Sequence, residues 1–222
     1  MKNNRSNPSP DPPKDPPKAV VSRMSLYLRE LEQLRSEGKK TISSRKLARM
    51  LGVTDAQVRK DFAYFGQFGY PGVGYRCREL VEEIKRILGT NRVWSVALVG
   101  CGNLGQALLG HRGFQSKGFR IVRAFDVNKA IVGSEIEGIE VQHLDELTEE
   151  LCQEHGIHLG ILAVPAAAAE KVVDRLVKAG ITGILNFAPV TLNLSKSVTV
   201  AGVDLAIELE QLSFAVVKQL EK

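Results

Sequence analysis

From Ser22 onward the apolar residues fall into a helical rhythm. Met24, Tyr27, Leu28, Leu31 and Leu34 recur at spacings of three and four until Gly38 ends the pattern, which predicts a first helix with Ser22 as its N-cap. In TISSRKLARML, Leu47, Met50 and Leu51 share a face, and after the turn GVT the segment DAQVRKDFAYF repeats Val58, Phe62 and Phe65 at i, i+4 and i+7. Thr54 and Gln57 stand at capping-box spacing. Two short helices, each with an inward apolar stripe and joined by a three-residue turn containing glycine, predict a helix-turn-helix. The following GYPGVGY, residues 69–75, suits a tight hairpin of the kind that forms the wing of a winged helix. CRELVEEIKRILG then predicts a short amphipathic helix that ends at Gly89 and connects to whatever follows.

Past residue 92 the period changes. Short β-branched or apolar runs at 93–99, 120–127, 138–142, 159–164, 183–188 and 198–203 alternate with helical segments near 103–111, 145–154 and 166–179, and a helix over 204–221 closes the chain. This alternation predicts an α/β domain, a doubly wound, mainly parallel sheet of the Rossmann type with helices on both faces. The last helix places Leu205, Leu209, Leu212 and Val216 on one side and Phe214 and Val217 on others. A helix apolar over more than one face needs a partner. The expected organisation is a tail over 1–18, a winged-helix domain over 19–78, a linker helix over 79–92, a Rossmann domain over 93–203 and a terminal helix over 204–222.

Composition sharpens this picture at both ends. Six of the nine prolines fall within residues 1–18, a segment too poor in apolar residues to offset the entropy of ordering, so disorder is expected there. The same segment has no apolar core of a secretory signal. The longest apolar stretch, GILAVPAAAA at 160–169, is interrupted by proline and far short of the roughly 20 residues of a membrane span. A cytoplasmic protein with no membrane partner is expected. Cys77, Cys101 and Cys152 are odd in number and show no CxxC spacing, which points to buried thiols rather than a disulfide framework.

The net charge of +5 conceals a division: residues 1–18 carry +2, residues 19–78 carry +7 and residues 79–222 carry −4. A basic module joined to an acidic one suggests that the first meets a polyanion. On a helical wheel DAQVRKDFAYF sets Val58, Phe62 and Phe65 together, with Ala56, Lys60, Ala63 and Tyr64 opposite and Gln57 and Arg59 flanking that outer face. Two alanines beside a lysine permit close approach to a groove of double-stranded DNA, where Gln57, Arg59, Lys60 and Tyr64 would meet bases or phosphates. Ser44, Arg45, Lys46 and Arg49 on the preceding helix would lie along the backbone. The bland alternative is a solvated basic face on a protein-interaction domain. Most of the aromatics crowded into 62–75, Phe62 and Phe65 above all, read as small-domain core.

After the strand VWSVALV comes Gly100-Cys101-Gly102-Asn103-Leu104-Gly105, a GxGxxG opening a helix, and Asp126 ends the next strand 21 residues beyond Gly105. Alone the glycines would be a weak signal. With strand, helix and acidic residue in place they form a dinucleotide-binding fingerprint, the pyrophosphate resting on the helix N-terminus and Asp126 accepting from the adenosine ribose, which favours NAD(H) over NADP(H). The alternative is a glycine turn that serves packing only. A dehydrogenase would need further residues for substrate and proton transfer. His111 and Asp204 are the one candidate acid/base pair, and a lone histidine near a helix end is more often structural, so no enzyme is expected. Cys152, His155 and His158 stand at ligand-like spacing but span a helix end and a strand, so no metal site is expected.

The segments SRKLARMLGVTDAQVRKDFAYFGQFGYPGVGY, GCGNLG, LAVP and GILNFAP, in this order, resemble the Rex family of redox-sensing transcriptional repressors from about residue 20 to the C-terminus. The resemblance implies a homodimer that binds palindromic operators when NADH is scarce, releases them when NADH binds, and swaps its last helix onto the partner's Rossmann domain. NADH and NAD+ are then the ligands. By position, Gly100 to Gly105 would hold the pyrophosphate and Asp126, with Val127 beside it, the adenosine ribose. Val164, Pro165, Asn186, Phe187 and Ala188 would lie around the nicotinamide, and Asp204 would couple ligand state to dimer geometry. Where some members carry tyrosine this chain has His111, and after Asp204 it has Leu205 where some have phenylalanine, so a pairing of His111 with Asp204 is the expected substitute. Two other functions remain open on the sequence: a dehydrogenase with an accessory basic domain, and a repressor that senses another nucleotide such as CoA.

Overall fold

The computed structural model describes residues 16–221. The expectation of a disordered tail falls almost wholly on residues 1–15, outside the described residues. The chain divides into two compact units, the first ending at Arg92 and the second beginning at Val93.

The first unit runs α1 (Lys18–Ser36), β1 (Thr41–Ile42), α2 (Ser44–Leu51), α3 (Asp55–Ala63), β2 (Tyr75–Arg76) and α4 (Cys77–Ile87). The apolar stripe of α1 is buried as its spacing predicts, but the helix starts a turn earlier than Ser22. Pro17 takes the N-cap position and its carbonyl accepts from Val20 N at 2.8 Å, and the added turn buries Val20. In α2 the inward pair is Leu47 and Ala48, while Met50 is exposed. A small residue beside Leu47 lets the neighbouring helices close in. Val58 and Phe62 of α3 are buried, and the Phe62 ring meets Tyr27, Phe68 and Tyr75 edge-on with centroids 5.0 to 5.7 Å apart. Tyr27, Phe62 and Tyr75 are core, with Phe68 half-buried against them, and each fully buried side chain of this kind contributes about 1.5–3 kcal/mol by leaving water.

The hairpin after α3 is short: Tyr70 N donates to Gly74 O at 2.8 Å. The chain then pairs back on β1 rather than on itself, with Thr41 opposite Arg76 and Ile42 opposite Tyr75. Nor is α4 a free connector, because Cys77, Leu80, Val81 and Ile84 belong to the core of this first unit.

The second unit holds β3 (Trp94–Val99), α5 (Asn103–Leu109), α6 (Gly113–Ser116), β4 (Phe119–Asp126), β5 (Glu135–Ile136), β6 (Ile139–His143), a short 3-10 turn (Leu144–Glu146), α7 (Glu149–Glu154), β7 (Ile157–Leu162), α8 (Ala166–Lys178), β8 (Gly183–Asn186), β9 (Thr199–Gly202) and α9 (Leu205–Leu220). The strand order is β5-β6-β4-β3-β7-β8-β9. All pairings are parallel except β5 with β6, so this is the doubly wound sheet that the alternation predicted.

One face packs on α7 and α8 through Cys152, Ala169, Val172, Val173 and Leu176. Short α5 and α6 cover part of the other through Leu108, Leu109 and Phe114. The rest of that second face, Val96, Ile121, Leu159, Ile161 and Leu185 among its residues, lines an open apolar cleft of about 450 Å3. Every residue of α9 is exposed.

Candidate functional site

Each unit holds one candidate site. In the first, Ser43 Oγ caps α2 by accepting from Lys46 N at 3.2 Å, the turn passes through Gly52 in the left-handed region at φ +66°, and Thr54 Oγ1 caps α3 by accepting from Gln57 N at 3.1 Å. Only this half of the expected capping box forms. The Gln57 side chain turns away from Thr54, and its Nε2 donates instead to Asp61 Oδ1 at 2.6 Å.

Asp61 is the residue that the wheel failed to single out. It is 1% exposed and also accepts from Arg23 Nε at 2.6 Å, Arg23 Nη2 at 2.8 Å and Tyr27 Oη at 2.8 Å. Burial pushes its carboxyl up, but the hydrogen bonds from Arg23, Tyr27 and Gln57 outweigh that, so it titrates below its ordinary value. This charged knot ties α3 to α1. Its signal in the sequence was an acidic residue between Val58 and Phe62 on the inward side of α3, since a carboxylate there demands a buried cation.

The face opposite the core shows Ala56, Arg59, Lys60 and Ala63 exposed and Tyr64 half-buried against the core aromatics. Arg59 is drawn toward the start of both helices, donating to Asp55 Oδ2 at 2.7 Å and Ser44 Oγ at 3.3 Å. Lys60 has no ion pair among the described residues. Arg45, Lys46 and Arg49 are exposed on α2. The structure thus gathers the predicted basic side chains on the two helices of one motif, and it commits Gln57 to an intramolecular bond.

In the second unit the turn from β3 to α5 is built by two glycines with different duties. Gly100 sits at φ +96°, and a Cβ there would overlap the Ala163 carbonyl oxygen. A Cβ on Gly105 would overlap the Gly100 carbonyl oxygen, so α5 packs on its own turn only without a side chain. Gly102 is unlike both: a Cβ there meets nothing within 4 Å. It faces the open side of the turn, and no side chain caps the α5 N-terminus that follows it.

Asp126 is locked from two sides, Oδ2 accepting from Cys101 N at 2.7 Å and Oδ1 from Asn128 N at 2.8 Å. Each oxygen retains a lone pair for a further donor. The Cys101 thiol is buried, and burial together with the Asp126 charge pushes it up to about 12, which keeps it an inert packing group.

Gly100, Gly102, Asp126, Val127, Val164 and Pro165 line one cleft of about 580 Å3, where β3 has β4 on one side and β7 on the other, the switch point at which open α/β sheets take ligands. Asn103 and Leu104 form the exposed first turn of α5 beside it. The sequence reading missed His143, Lys171 and Arg175, which line the same cleft. The two cations stand four residues apart on α8, and only the α8 position after the β7 loop could have pointed to them.

Asn186, Ala188 and Asp204 line a second cleft beyond β8. There the Asn186 side chain is spent on the loop, accepting from Ala188 N at 2.9 Å and donating to Val190 O at 3.0 Å. Phe187 is half-buried under the sheet. The structure does not bring His111 and Asp204 together within one chain: His111 stacks edge-on against Phe114 at 4.8 Å, and Asp204 Oδ1 caps α9 by accepting from Ala206 N at 2.9 Å and Ile207 N at 3.3 Å. Among the described residues no cluster of histidine, cysteine and carboxylate could hold a metal, and no helix is long and apolar enough to cross a membrane.

A two-helix motif with a basic outer helix and a doubly wound nucleotide-type unit define the class, a two-unit protein built to join a polyanion surface to a dinucleotide cleft. Similarity to known proteins agrees with both halves. Residues 16–63 match a family described as putative DNA-binding protein N-terminus, and residues 91–190 match one described as CoA binding domain. The redox-sensing transcriptional repressor Rex of Carboxydothermus hydrogenoformans is 50% identical over 198 residues, covering 89% of this chain and 95% of the relative, and that of Streptomyces coelicolor is 48% identical over 89% and 76%. Among solved structures, RSP, a Rex-family repressor, matches in complex with NAD+ and operator DNA (TM-score 0.88, 35% identity, 93% of this chain and 95% of that one) and in complex with NADH (TM-score 0.83, 34% identity, 93% and 97%). The chain belongs to the Rex family of redox-sensing transcriptional repressors.

The glycine geometry separates two outcomes. Gly105→Ala is expected to destabilise the second unit by at least about 1–3 kcal/mol through overpacking, read as a lowered midpoint of denaturant unfolding. Gly102→Ala is expected to leave that midpoint unchanged while weakening dinucleotide binding about tenfold or more, read by fluorescence titration with NADH, because the added methyl points only at the open side of the turn.

Proposed function

We propose that this protein is a transcriptional repressor that binds palindromic operator DNA as a homodimer and leaves it when NADH binds, so that gene expression follows the NADH/NAD+ balance. The observation that carries this reading is the union in one chain of a basic recognition-type helix with a glycine turn whose open member, Gly102, faces a cleft bordered by the locked carboxylate of Asp126. The Rex relatives and the RSP complexes with NAD+, NADH and operator DNA support it.

In the first unit we assign α3 to the major groove, with Gln57, Arg59, Lys60 and Tyr64 toward bases and phosphates and Ser44, Arg45 and Lys46 toward the backbone. In the second, the glycine turn from Gly100 through Cys101 to Gly105 would hold the pyrophosphate on the N–H groups of Gly102, Asn103 and Leu104, the Cys101 N–H being given to Asp126. Asp126 and Val127 would hold the adenosine ribose, the carboxylate repelling a 2′-phosphate. Val164, Pro165, Asn186, Phe187 and Ala188 would frame the nicotinamide end, Asn186 by shaping its loop. His111 and Asp204 would transmit the state of the ligand between subunits. The dinucleotide is read and not turned over, and the protein works in the cytoplasm.

Dimerisation follows from α9. Its residues Leu205, Ile207, Leu209, Leu212, Phe214 and Val216 are between 44% and 66% exposed, and the apolar cleft on the sheet face offers the matching surface. We assign α9 to the corresponding cleft of a second copy as a swapped helix. Two recognition helices then face DNA related by a two-fold axis, which is the symmetry of a palindrome.

NADH moves the dimer only by binding its DNA-incompetent form more tightly than its competent one. A switch from 1:99 to 99:1 requires a preference of about 10⁴-fold. NAD+ shares the adenosine half, so discrimination rests at the nicotinamide.

Two measurements check this. Duplexes selected from a random pool at fixed salt are expected to show a palindrome whose complex is dissolved by NADH and retained in NAD+, NADPH or CoA. Release by CoA alone would transfer the repressor to another ligand, and no enriched sequence would favour the dehydrogenase. Leu209→Glu with Leu212→Glu is expected to give a monomer by sedimentation that still binds NADH and no longer retains the palindrome.

A further inference from the structure

Asp61 is a buried carboxylate whose partners leave it no freedom. Arg23 grips it through two nitrogens from a position 38 residues away in the chain, Tyr27 donates its hydroxyl, and Gln57 closes the set at 2.6 Å. An ionised carboxylate only accepts hydrogen bonds. The Gln57 amide must therefore turn its nitrogen toward Asp61, since the flipped amide would set two oxygens against each other. Gln57 Oε1 accepts nothing among the described residues and is not among their buried unpartnered polar atoms, so it lies open to solvent. Gln57 is also the third residue of α3, in the first turn, the part of a recognition helix that meets base edges.

We propose that Asp61 acts as a positioning residue that fixes the hydrogen-bonding sense of Gln57, so that each operator half-site carries a base with an exocyclic amine, adenine above all, where Gln57 meets the major groove. The proposal rests on the reading of α3 as the recognition helix. In the fixed amide one N–H is spent on Asp61, and Oε1 with the other N–H remain. Adenine offers an N6 amine beside the N7 acceptor and fits both. Cytosine offers its N4 amine to the oxygen alone. Guanine and thymine present O6 and O4 acceptors, which the remaining N–H can meet only while Oε1 stays unpaired against an acceptor edge, and the flip that would turn both donors outward is blocked by the buried carboxylate. An unrestrained glutamine would accept either sense, so the discrimination belongs to the pair and not to Gln57 alone.

The test is selection from a pool of randomised duplexes at one salt concentration, with base frequencies compared among the wild type, Gln57→Ala and Asp61→Asn. Salt is held constant because phosphate contacts set the overall affinity. The wild type is expected to enrich adenine, or cytosine second, at one symmetric pair of positions. Gln57→Ala should lose that preference by about tenfold there and nowhere else. Asp61→Asn, whose amide tolerates either orientation of Gln57, should admit guanine or thymine at the same pair while the other positions hold.

A palindrome from the wild type with an unchanged Gln57→Ala profile, a lost preference for guanine or thymine, or a loss at all positions would overturn the inference and leave the repressor reading standing. An Asp61→Asn profile that stays restricted to adenine would overturn it as well. No enrichment by the wild type would remove both. Should Asp61→Asn fail to fold by circular dichroism, Asp61→Leu combined with Arg23→Met and Tyr27→Phe removes the charged knot as a whole; it should admit guanine or thymine at the same pair of positions, and a profile still restricted to adenine or cytosine there would overturn the inference.

Discussion

A helix with large apolar side chains on every side does not rest in water. Each of the exposed leucines of α9 forgoes roughly 1.5–3 kcal/mol that full burial would return, and Leu205, Leu209, Leu212, Phe214 and Leu220 are all at least 60% exposed. The sheet in the same unit leaves an apolar face open between α6 and β9. These are, on the proposed reading, the two halves of one interface. On the proposed reading, the burial of α9 on a second copy supplies the two-fold axis that a palindromic operator needs and the mechanical link through which the dinucleotide cleft reaches the DNA-binding unit. Asp204, which caps α9, stands where such a link begins.

Both units hold a carboxylate fixed, in opposite ways. Asp126 is held by two backbone N–H groups, that of Cys101 in the glycine turn and that of Asn128 just past β4, so its remaining lone pairs point a fixed way. Asp61 is held by side chains from a distant helix and is itself the fixed point. Replacing a buried ion pair as a whole by apolar residues of similar volume can be neutral or stabilising, so a knot of this kind is better explained by the orientation that it imposes than by the stability that it adds.

Much of this architecture was legible in the amino-acid pattern. The change from a spacing of three and four to short apolar runs marks the boundary that the structure draws at Val93, and the parallel strands from Trp94 to Gly202 follow from β-branched runs separated by amphipathic helices. What escaped was short or non-local. Two-residue strands such as Thr41–Ile42 and Glu135–Ile136 have no period to detect. Ser22 read as a cap because nothing local distinguishes it from a mid-helix serine, whereas Pro17 ends the helix by its ring geometry. Gln57 read as a free base reader because its partner Asp61 is explained only by Arg23, 38 residues away. Lys171 and Arg175 reach the cleft beside Gly102 and Asp126 from a helix whose approach depends on the whole sheet. Within one chain His111 lies against Phe114 and Asp204 caps the α9 backbone; the pairing expected of them is one between subunits.

The central claim is that one cleft receives both oxidation states and that only the reduced one dissolves the complex with DNA. It is tested most directly by fluorescence anisotropy of a labelled operator, titrated through NADH/NAD+ ratios at two total dinucleotide concentrations that both saturate the protein. Competition for one site predicts half-release at the same ratio in both series. Half-release at the same NADH concentration, whatever the NAD+ present, would contradict the account, because the protein would then sense an amount and not a balance.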